Sequence, residues 1–221
     1  MRFGWAILFL LAGCAQEPFA REPLPDLNGP DPRLIRDTFA LALPKHFISD
    51  DTVIIDAPFN HDFAFLGVLE VNRPAQEFEF VALNQVGLKL FQLGGNPRGV
   101  QVQYALGPLN DHKDILTAVG QDLWRMYFDL VPGEASEVDV GRRTVTFSQK
   151  SSGGSVEYQF GGDPAVLLQK GKGGFLFGWQ WRVRYFQYRW QTGTLYPRGI
   201  VMDNSDFHYR IIVKNRDREI R

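Results

Sequence analysis

Residues 63–83 read FAFLGVLEVNRPAQEFEFVAL, and this stretch decides the fold class. Apolar side chains alternate along its first half, and the sequence Asn72-Arg73-Pro74 then interrupts the run. In the second half Phe78 and Phe80 alternate with glutamate residues. Alternation with a period of two on both sides of a turn is typical of an antiparallel β-hairpin. We therefore predict two paired strands here.

Similar short runs, separated by turns such as Gly94-Gly95-Asn96-Pro97, continue through the chain and predict about ten or eleven antiparallel strands. Two segments have helical spacing instead, residues 33–43 and 111–130, with Asp111 as the predicted cap of the second. So many strands do not form a flat sheet. We predict a mainly β (α+β) fold: a strongly curved antiparallel sheet or incomplete β-barrel with a lid helix or helices.

The composition excludes several classes of protein. With 24 Lys and Arg against 25 Asp and Glu, the net charge of −1 lacks the basic footprint of a nucleic-acid-binding protein. A single cysteine cannot form an internal disulfide or a cysteine-rich zinc site. An aromatic fraction of 14% is too high for a disordered chain. The length fits one domain, which we place at residues 33–221.

The N-terminus has the pattern of a targeting signal. The apolar run over residues 3–12 is too short to cross a bilayer, which takes about 20 residues, and small residues follow it. Leu11-Ala12-Gly13-Cys14 resembles the bacterial lipobox, whose cysteine takes a diacylglyceryl group after which the signal is cut before it. The resemblance implies a signal peptide over residues 1–13 and a lipid anchor on Cys14. The alternative is an ordinary secretory signal with an incidental cysteine.

A proline-rich stretch follows the cysteine. Five prolines between residues 15 and 32 disfavour both a helix and a central strand. We interpret residues 14–32 as the lipidated cysteine and a tether between the lipid and the folded body. In enterobacterial lipoproteins an Asp directly after the cysteine retains the protein in the inner membrane. Ala15 stands there instead, which by that resemblance implies the outer membrane, facing the periplasm.

The residues that carry enzyme chemistry are not spaced for it. His46, His61, His112 and His208 do not lie at metal-binding intervals, and no Gly-x-Ser-x-Gly motif occurs. We therefore predict no catalytic residue, no metal site and no cofactor, and we do not expect an enzyme. A lipid hydrolase is kept as a minor hypothesis, which would need a Ser or Asp beside a His in a pocket.

Several strands are apolar on both faces. In the quoted stretch Phe63 and Phe65 lie on one face, and Leu66 and Val68 lie on the other. An antiparallel sheet usually keeps one face in contact with water. Either helices cover the second face to form a packed core, or the sheet encloses an apolar cavity that the long amphipathic helix closes as a lid.

The order of these motifs, over about residues 31–214, resembles the lipoprotein-carrier family of LolA and LolB, and LolB more closely because of the lipobox. Asn84-Gln85-Val86-Gly87 stands where LolB has an Asn-Pro-Leu-Gly turn, and Leu130-Val131-Pro132-Gly133 follows the lid segment as a Gly-x-Pro-Gly does there. Trp181-Arg182-Val183-Arg184-Tyr185 resembles LolB's Trp-Lys-Val-x-Tyr strand, and residues 195–213 resemble its closing strands. The chain is also similar to a little-studied family of proteobacterial lipoproteins related to these carriers.

The resemblance implies a half-barrel whose cavity receives acyl chains beneath helices. In LolB the Leu of the turn protrudes and helps to deliver cargo into the membrane, and Val86 holds that position here as the predicted membrane contact. The predicted lid residues are Ile115, Leu116, Val119 and Leu123. The predicted lining residues are aromatic and aliphatic: Phe63, Phe65, Leu69, Phe78, Phe80, Leu88, Leu90, Val102, Tyr104, Phe147, Tyr158, Trp181 and Tyr185.

We therefore predict a lipid or lipoprotein carrier or acceptor. An acyl chain moving through water exposes apolar area at about 25 cal/mol per Å², and a concave apolar pocket removes that exposure without catalysis. The expected partners are membrane lipid through the acylated Cys14, an acyl-chain cargo (a lipoprotein or a lipid) and a periplasmic carrier protein. The alternative is a structural accessory lipoprotein that binds a protein partner in the cell envelope.

Overall fold

A computed structural model describes residues 17–57, 61–174 and 178–221. The predicted signal peptide and Cys14 lie outside these residues. The described residues form two α-helices, one 3₁₀ helix and twelve strands. Their bounds are α1 Pro32–Ala42, β1 His46–Ala57, β2 His61–Asn72, β3 Glu77–Leu83, β4 Lys89–Asn96, β5 Gly99–Ala105, the 3₁₀ helix Gly107–His112, α2 Lys113–Tyr127, β6 Glu137–Val140, β7 Thr144–Ser151, β8 Gly154–Gly161, β9 Val166–Gly174, β10 Gly178–Gln191, β11 Thr194–Asn204 and β12 Tyr209–Ile220.

All twelve strands lie in one sheet, in the order β5-β4-β3-β2-β1-β12-β11-β10-β9-β8-β7-β6. Two antiparallel meanders, β1 to β5 and β6 to β12, join where β1 pairs with β12, from Phe47 opposite Ile220 to Asp56 opposite Arg210. β5 and β6 are the two ends of the order, so the curved sheet is not closed into a barrel. The predicted fold class, mainly β with a curved antiparallel sheet and helices, is confirmed.

The sequence predicts ten or eleven strands, and the structure has one more. The additional strand is β6, a four-residue edge strand whose side chains are all exposed. Its sequence, Glu137-Val138-Asp139-Val140, does alternate polar and apolar residues, but a run of four residues is the shortest that can indicate a strand.

α1 begins where the sequence signals place it. Asp31 caps the helix by accepting a hydrogen bond from the backbone N–H of Arg33 at 2.9 Å. The buried face of α1 lies on the sheet, where the Phe39 ring meets the rings of Phe160 and Tyr188 edge-on.

α2 is shorter than the predicted segment 111–130. It follows the 3₁₀ helix directly, and it ends at Tyr127. The prediction of Asp111 as the cap is wrong, because this residue lies within the 3₁₀ helix and no side chain caps α2. Asp114 does lie in the first turn, where a negative charge is favourable near the positive end of the helix dipole.

The turn predicted at Gly94-Gly95 also lies elsewhere. Both glycines are inside β4, and the chain reverses at Pro97-Arg98. The reason is a close approach: a Cβ atom on Gly95 would lie 1.9 Å from the ring of Phe78 on the neighbouring strand. This glycine makes room for an aromatic ring rather than for a turn.

Residues 17–27, part of the predicted tether, form an extended segment that we call the N-terminal strap. It lies on the outer face of the sheet. The Phe19 ring is centred 5.5 Å from the ring of Phe186, and a Cβ on Gly199 would lie 2.7 Å from it. Glu17 accepts a hydrogen bond from Arg184, and both side chains are largely buried.

The strap continues along β10 toward the turn between β6 and β7. Glu22 accepts a hydrogen bond from the backbone N–H of Tyr188 at 3.0 Å. Asp26 accepts hydrogen bonds from Arg142 at 2.8 Å and from Arg143 at 3.1 Å. Every residue in these contacts is at position 17 or later, so a chain that starts at Ala15 keeps all of them.

We expect Phe19→Ala to lower the free energy of unfolding by about 2 kcal/mol, less than the value of about 3–5 for a fully buried ring. The half-buried ring covers Gly199 and Phe186, and its loss would expose both. Urea denaturation of the chain from Ala15 onward measures the change. Leu41→Ala is the control, because Leu41 is 87% exposed and should change stability by less than about 0.5 kcal/mol. Equal effects of the two changes would mean that the strap is not docked.

Candidate functional site

Both helices pack on the concave face of the sheet. α2 crosses β5 closely, since a Cβ on Gly120 would lie 2.4 Å from a methyl group of Val100. Trp124 and Phe128 stack on each other with ring centres 4.2 Å apart, beside Phe78 of β3. With α1 over β8 to β10, the helices cover most of the apolar surface that the sheet presents.

The structure brings most of the predicted lining residues together beneath the helices. Leu90 and Val102 are half-buried and pack against the hydrophobic core, and Phe63 is mostly exposed near the start of β2. Eight of the predicted residues are buried within the core: Phe65, Leu69, Phe78, Phe80, Phe147, Tyr158, Trp181 and Tyr185.

The position predicted for Leu88 is corrected by the structure. Leu88 precedes β4 and is exposed, whereas Phe91 and Leu93 are the buried residues of that strand. The register of β3 with β4 shifts between Ala82 and Leu83, and such a shift inverts the faces on which neighbouring residues lie.

A second shift corrects the position of Tyr104. Val102 pairs with Leu93 while Tyr104 pairs with Gln92, so one residue of β5 is skipped. Tyr104 therefore shares the outer face with Gln92, and the Nζ of Lys89 lies 5.1 Å from the centre of its ring.

The predicted lid residues lie on both sides of α2. Leu116, Val119 and Leu123 are buried against the sheet, and Ile115 is exposed at the start of the helix. Val86, the predicted membrane contact, is 87% exposed at the tip of the β3–β4 turn. The side chain of Asn84 shapes this turn, because its Oδ1 accepts hydrogen bonds from the N–H groups of residues 86 and 88 at 3.0 and 2.9 Å.

In this closed arrangement the concave face is filled by side chains. A cavity beneath the ends of both helices has about 10 Å³, the space of about one water molecule. Arg73 and Arg218 line it together with Tyr127, Tyr185 and Tyr196. The apolar surface that the sequence predicts is present, and α2 occupies it.

Side chains of the sheet hold the C-terminal end of α2. The last carbonyl groups of a helix have no partner within it. Tyr185 donates to the carbonyl of Met126 at 3.0 Å, and the Nε of Arg73 donates to the carbonyl of Tyr127 at 3.1 Å. Lys170 donates to the next two carbonyls, at 2.7 and 3.1 Å. Positive groups at this end also interact favourably with the negative end of the helix dipole.

A buried carboxylate attaches the middle of α2 to the opposite side of the sheet. Asp122 accepts hydrogen bonds from the hydroxyl of Tyr209 at 2.5 Å, from Asn204 at 2.8 Å and from Arg125 at 2.6 Å. Burial raises the pKa of Asp122, while these three donors oppose that rise. The helix is therefore fixed by specific polar contacts as well as by apolar packing.

Arg73 also connects the two helices. Its Nη1 donates to the carbonyl of Pro44, just after α1, while its Nε reaches the end of α2. Burial lowers the pKa of Arg73 to about 10, and the neighbouring Arg218 contributes to the decrease. Both guanidinium groups lie over the ring of Phe47, at 5.6 and 4.2 Å from its centre.

The sequence pattern predicts no functional role for Arg73, Lys170 or Arg218. Each lies in a turn or strand where a basic side chain usually points to solvent. The only signal was that Lys170 follows the apolar run Val166-Leu167-Leu168 on a strand. No group of His, Cys, Asp and Glu within the described ranges could hold a metal ion.

Known proteins were compared with this chain by sequence and by structure, and only the structures match. No family model and no curated protein sequence matches the chain. A solved structure of a LolA superfamily protein from Nitrosomonas europaea matches with 9% identity and a TM-score of 0.55, over 86% of this chain and 93% of that one. The chain has a LolA-like fold. The fold that the family resemblance implies is thus confirmed, at an identity too low to carry the function across.

Two further solved structures match over similar lengths. A putative outer membrane lipoprotein-sorting protein domain from Vibrio parahaemolyticus has 9% identity and a TM-score of 0.49, over 86% of this chain and 91% of its own. A DUF1329 family protein from Desulfovibrio piger has 9% identity and a TM-score of 0.44, over 85% and 90%.

We expect Lys170→Met to change how stability depends on pH. Burial lowers the pKa of Lys170 from 10.5 to about 7, so between these values the unfolded chain binds more protons than the folded chain. The free energy of unfolding that this group contributes therefore rises with pH across that window and is flat below it. The wild type should gain stability relative to Lys170→Met as the pH rises through the window.

Urea denaturation at the two ends of the window measures this difference. Lys172→Met, on the same strand, is the control for the loss of one positive charge. If the two variants show the same pH dependence relative to the wild type, Lys170 is not buried against the end of α2.

Proposed function

We propose that this protein is a lipid-anchored envelope protein that receives acyl chains beneath α2 and acts as a lipid or lipoprotein carrier or acceptor. The observation that carries the proposal is a LolA-like sheet whose concave apolar face is covered by one long helix. The LolA superfamily protein among the comparison structures shares this fold, which supports the proposal.

Acyl binding requires α2 to move, because the closed face leaves a cavity of only about 10 Å³. The C-terminal end of α2 is attached by Arg73, Lys170 and Tyr185. Its N-terminal end follows a 3₁₀ helix without a side-chain cap and starts with exposed residues. We therefore propose that the N-terminal half lifts first, and that an acyl chain replaces Leu116, Val119 and Leu123 on the sheet.

This exchange needs neither a cofactor nor a catalytic residue. The apolar area that α2 leaves is covered by the acyl chain, so both states bury a similar area and the difference in free energy stays small. Transfer to or from a periplasmic carrier protein then depends on relative affinity alone.

The anchor would hold the body close to the membrane. Cys14 precedes Glu17 by three residues, which span at most about 11 Å of extended chain. Glu17 is bonded to Arg184 on the outer face of the sheet. The outer membrane is the proposed location, with Val86 at its exposed turn as the proposed contact with lipid. None of the described helices is long and apolar enough to cross a membrane.

A disulfide between α2 and β5 tests whether the helix has to move. A Cβ on Gly120 would lie 3.3 Å from the Cβ of Val100, close to the separation of about 3.5–4.5 Å found in disulfides. In the chain from Ala15 onward, Val100→Cys with Gly120→Cys would have no other cysteine. We expect the oxidised protein to lose uptake of a fluorescent acyl probe and the reduced protein to recover it.

Val100→Cys alone, carried through the same oxidation and reduction, is the matched control. Equal uptake by the oxidised and reduced double variants would show that acyl chains do not enter beneath α2. The carrier proposal would then fail.

The proposed anchor has its own test. We expect Cys14→Ser to abolish both the acylation and the cleavage before residue 14, so that no mature chain carries the acyl chains, of which about two or more are needed for stable attachment. Mass spectrometry of the wild type should find a diacylglyceryl-modified N-terminal cysteine. An unmodified Cys14 in the mature chain would refute lipid anchoring while leaving acyl binding open to the disulfide test.

One observation favours the alternative, an accessory lipoprotein that binds a protein partner. A groove of about 580 Å³ lies between the N-terminal strap and the β8–β9 turn, with Leu24, Val166 and Trp190 on its walls. This groove lies outside the lid and would remain open when α2 is closed. Stable co-isolation with one protein, together with no acyl uptake in the disulfide experiment, would favour this function.

A further inference from the structure

A buried arginine beneath α2, Arg218, has an unbonded guanidinium nitrogen and forms no ion pair with any residue that the structure describes. Arg218 is 4% exposed, and its guanidinium group lies between the rings of Phe47 and Tyr196, at 4.2 and 4.5 Å from their centres. Its Nε has no hydrogen-bond partner among the described residues. A buried charge without such bonds is expensive, so an unpaired guanidinium group points to a bound anion.

The nearest candidate for a counter-charge is already engaged. Asp51 accepts hydrogen bonds from Ser49 at 2.8 Å and from Asn215 at 3.0 Å. Within the described residues it forms no ion pair with Arg218. Burial raises the pKa of its carboxyl group, and its two hydrogen bonds and the charge of Arg218 oppose that rise. Arg184, another largely buried arginine, also has an unbonded Nε, but its other nitrogens pair with Asp203 and Glu17.

A second guanidinium group completes the site. Arg73 lies over the same Phe47 ring and borders the same small cavity as Arg218. Its Nε and Nη1 donate to the carbonyls of Tyr127 and Pro44, which lie at the ends of the two helices. Movement of α2 would take Tyr127 away and leave two arginines facing one space.

We infer that Arg73 and Arg218 bind the anionic headgroup of a single-chain lipid whose acyl chain lies on the concave face of the sheet. The inference rests on the proposed function and names the class of its cargo. Guanidinium groups bind carboxylate and phosphate oxygens through paired, charge-assisted hydrogen bonds. The helix-end carbonyls are the weaker acceptors that the headgroup replaces.

This arrangement couples headgroup binding to lid opening. The anion competes with the carbonyl of Tyr127 for Arg73, so it binds better when α2 has moved. Tyr185, which also lines the cavity, donates to the carbonyl of Met126 and is freed by the same movement. A neutral lipid could occupy the apolar face, but it would leave both arginines without an anion.

The experiment compares three probes that share one acyl chain. Palmitate, palmitoyl lysophosphatidate and hexadecanol are titrated into the chain from Ala15 onward, with competition against a fluorescent acyl probe as the measurement. We expect palmitate or the lysophosphatidate to bind about tenfold or more tightly than hexadecanol, because each forms charged hydrogen bonds with the arginines. The tighter of the two identifies a carboxylate or a phosphate as the anion.

Arg218→Met keeps an apolar side chain between the two rings and removes the charge. We expect it to lose the preference for the anionic probe over hexadecanol. Arg189→Met, an exposed position on β10, is the control for loss of one positive charge and should keep the preference.

The outcomes distinguish failure of the anion site from failure of acyl binding. Equal binding of all three probes by the wild type, or a preference that survives Arg218→Met, overturns the anion site and leaves acyl carriage standing. Failure of every probe to bind overturns the proposed function as well. The comparison within the wild type decides the point even if Arg218→Met does not fold.

Discussion

The contact between α2 and the concave face of the open sheet is the constraint on which the rest of the structure depends. Because the twelve-stranded sheet is not closed, the apolar side chains on its concave face would be exposed to water without another element packed on them. α2 covers it, and the polar groups at the end of the helix then need partners within the sheet. Arg73, Lys170 and Tyr185 supply these partners at the cost of burying two positive charges.

That solution makes the closed state specific without making it permanent. Apolar packing by Leu123 and its neighbours has little directional preference, so an acyl chain can replace it. The hydrogen bonds of Asp122 and Arg73 do have direction, and they define the position of α2 on the sheet. In the carrier that we propose, the same bonds would define the position to which α2 returns after the cargo leaves.

The outer face of the sheet is covered by an extended segment rather than by a helix. It is covered near β10 by the N-terminal strap, where Phe19 meets Phe186 and Gly199. The sequence indicated correctly that this proline-rich stretch is not helical. It could not indicate docking, because the partners of Phe19 lie more than 160 residues away in the chain. Glycine at position 199 is explained only by the ring that lies on it.

The sequence by itself determined every strand except β6, the two helices and the apolar character of the concave face, because periods of two and of about 3.6 residues are local properties. It did not determine which of Leu88, Phe91 and Tyr104 face inward, because single-residue shifts between neighbouring strands invert the faces. Nor did it identify Arg73 and Arg218 as buried. Tertiary structure decided this, since only the folded sheet brings a turn after β2 and the end of β12 onto the same aromatic ring.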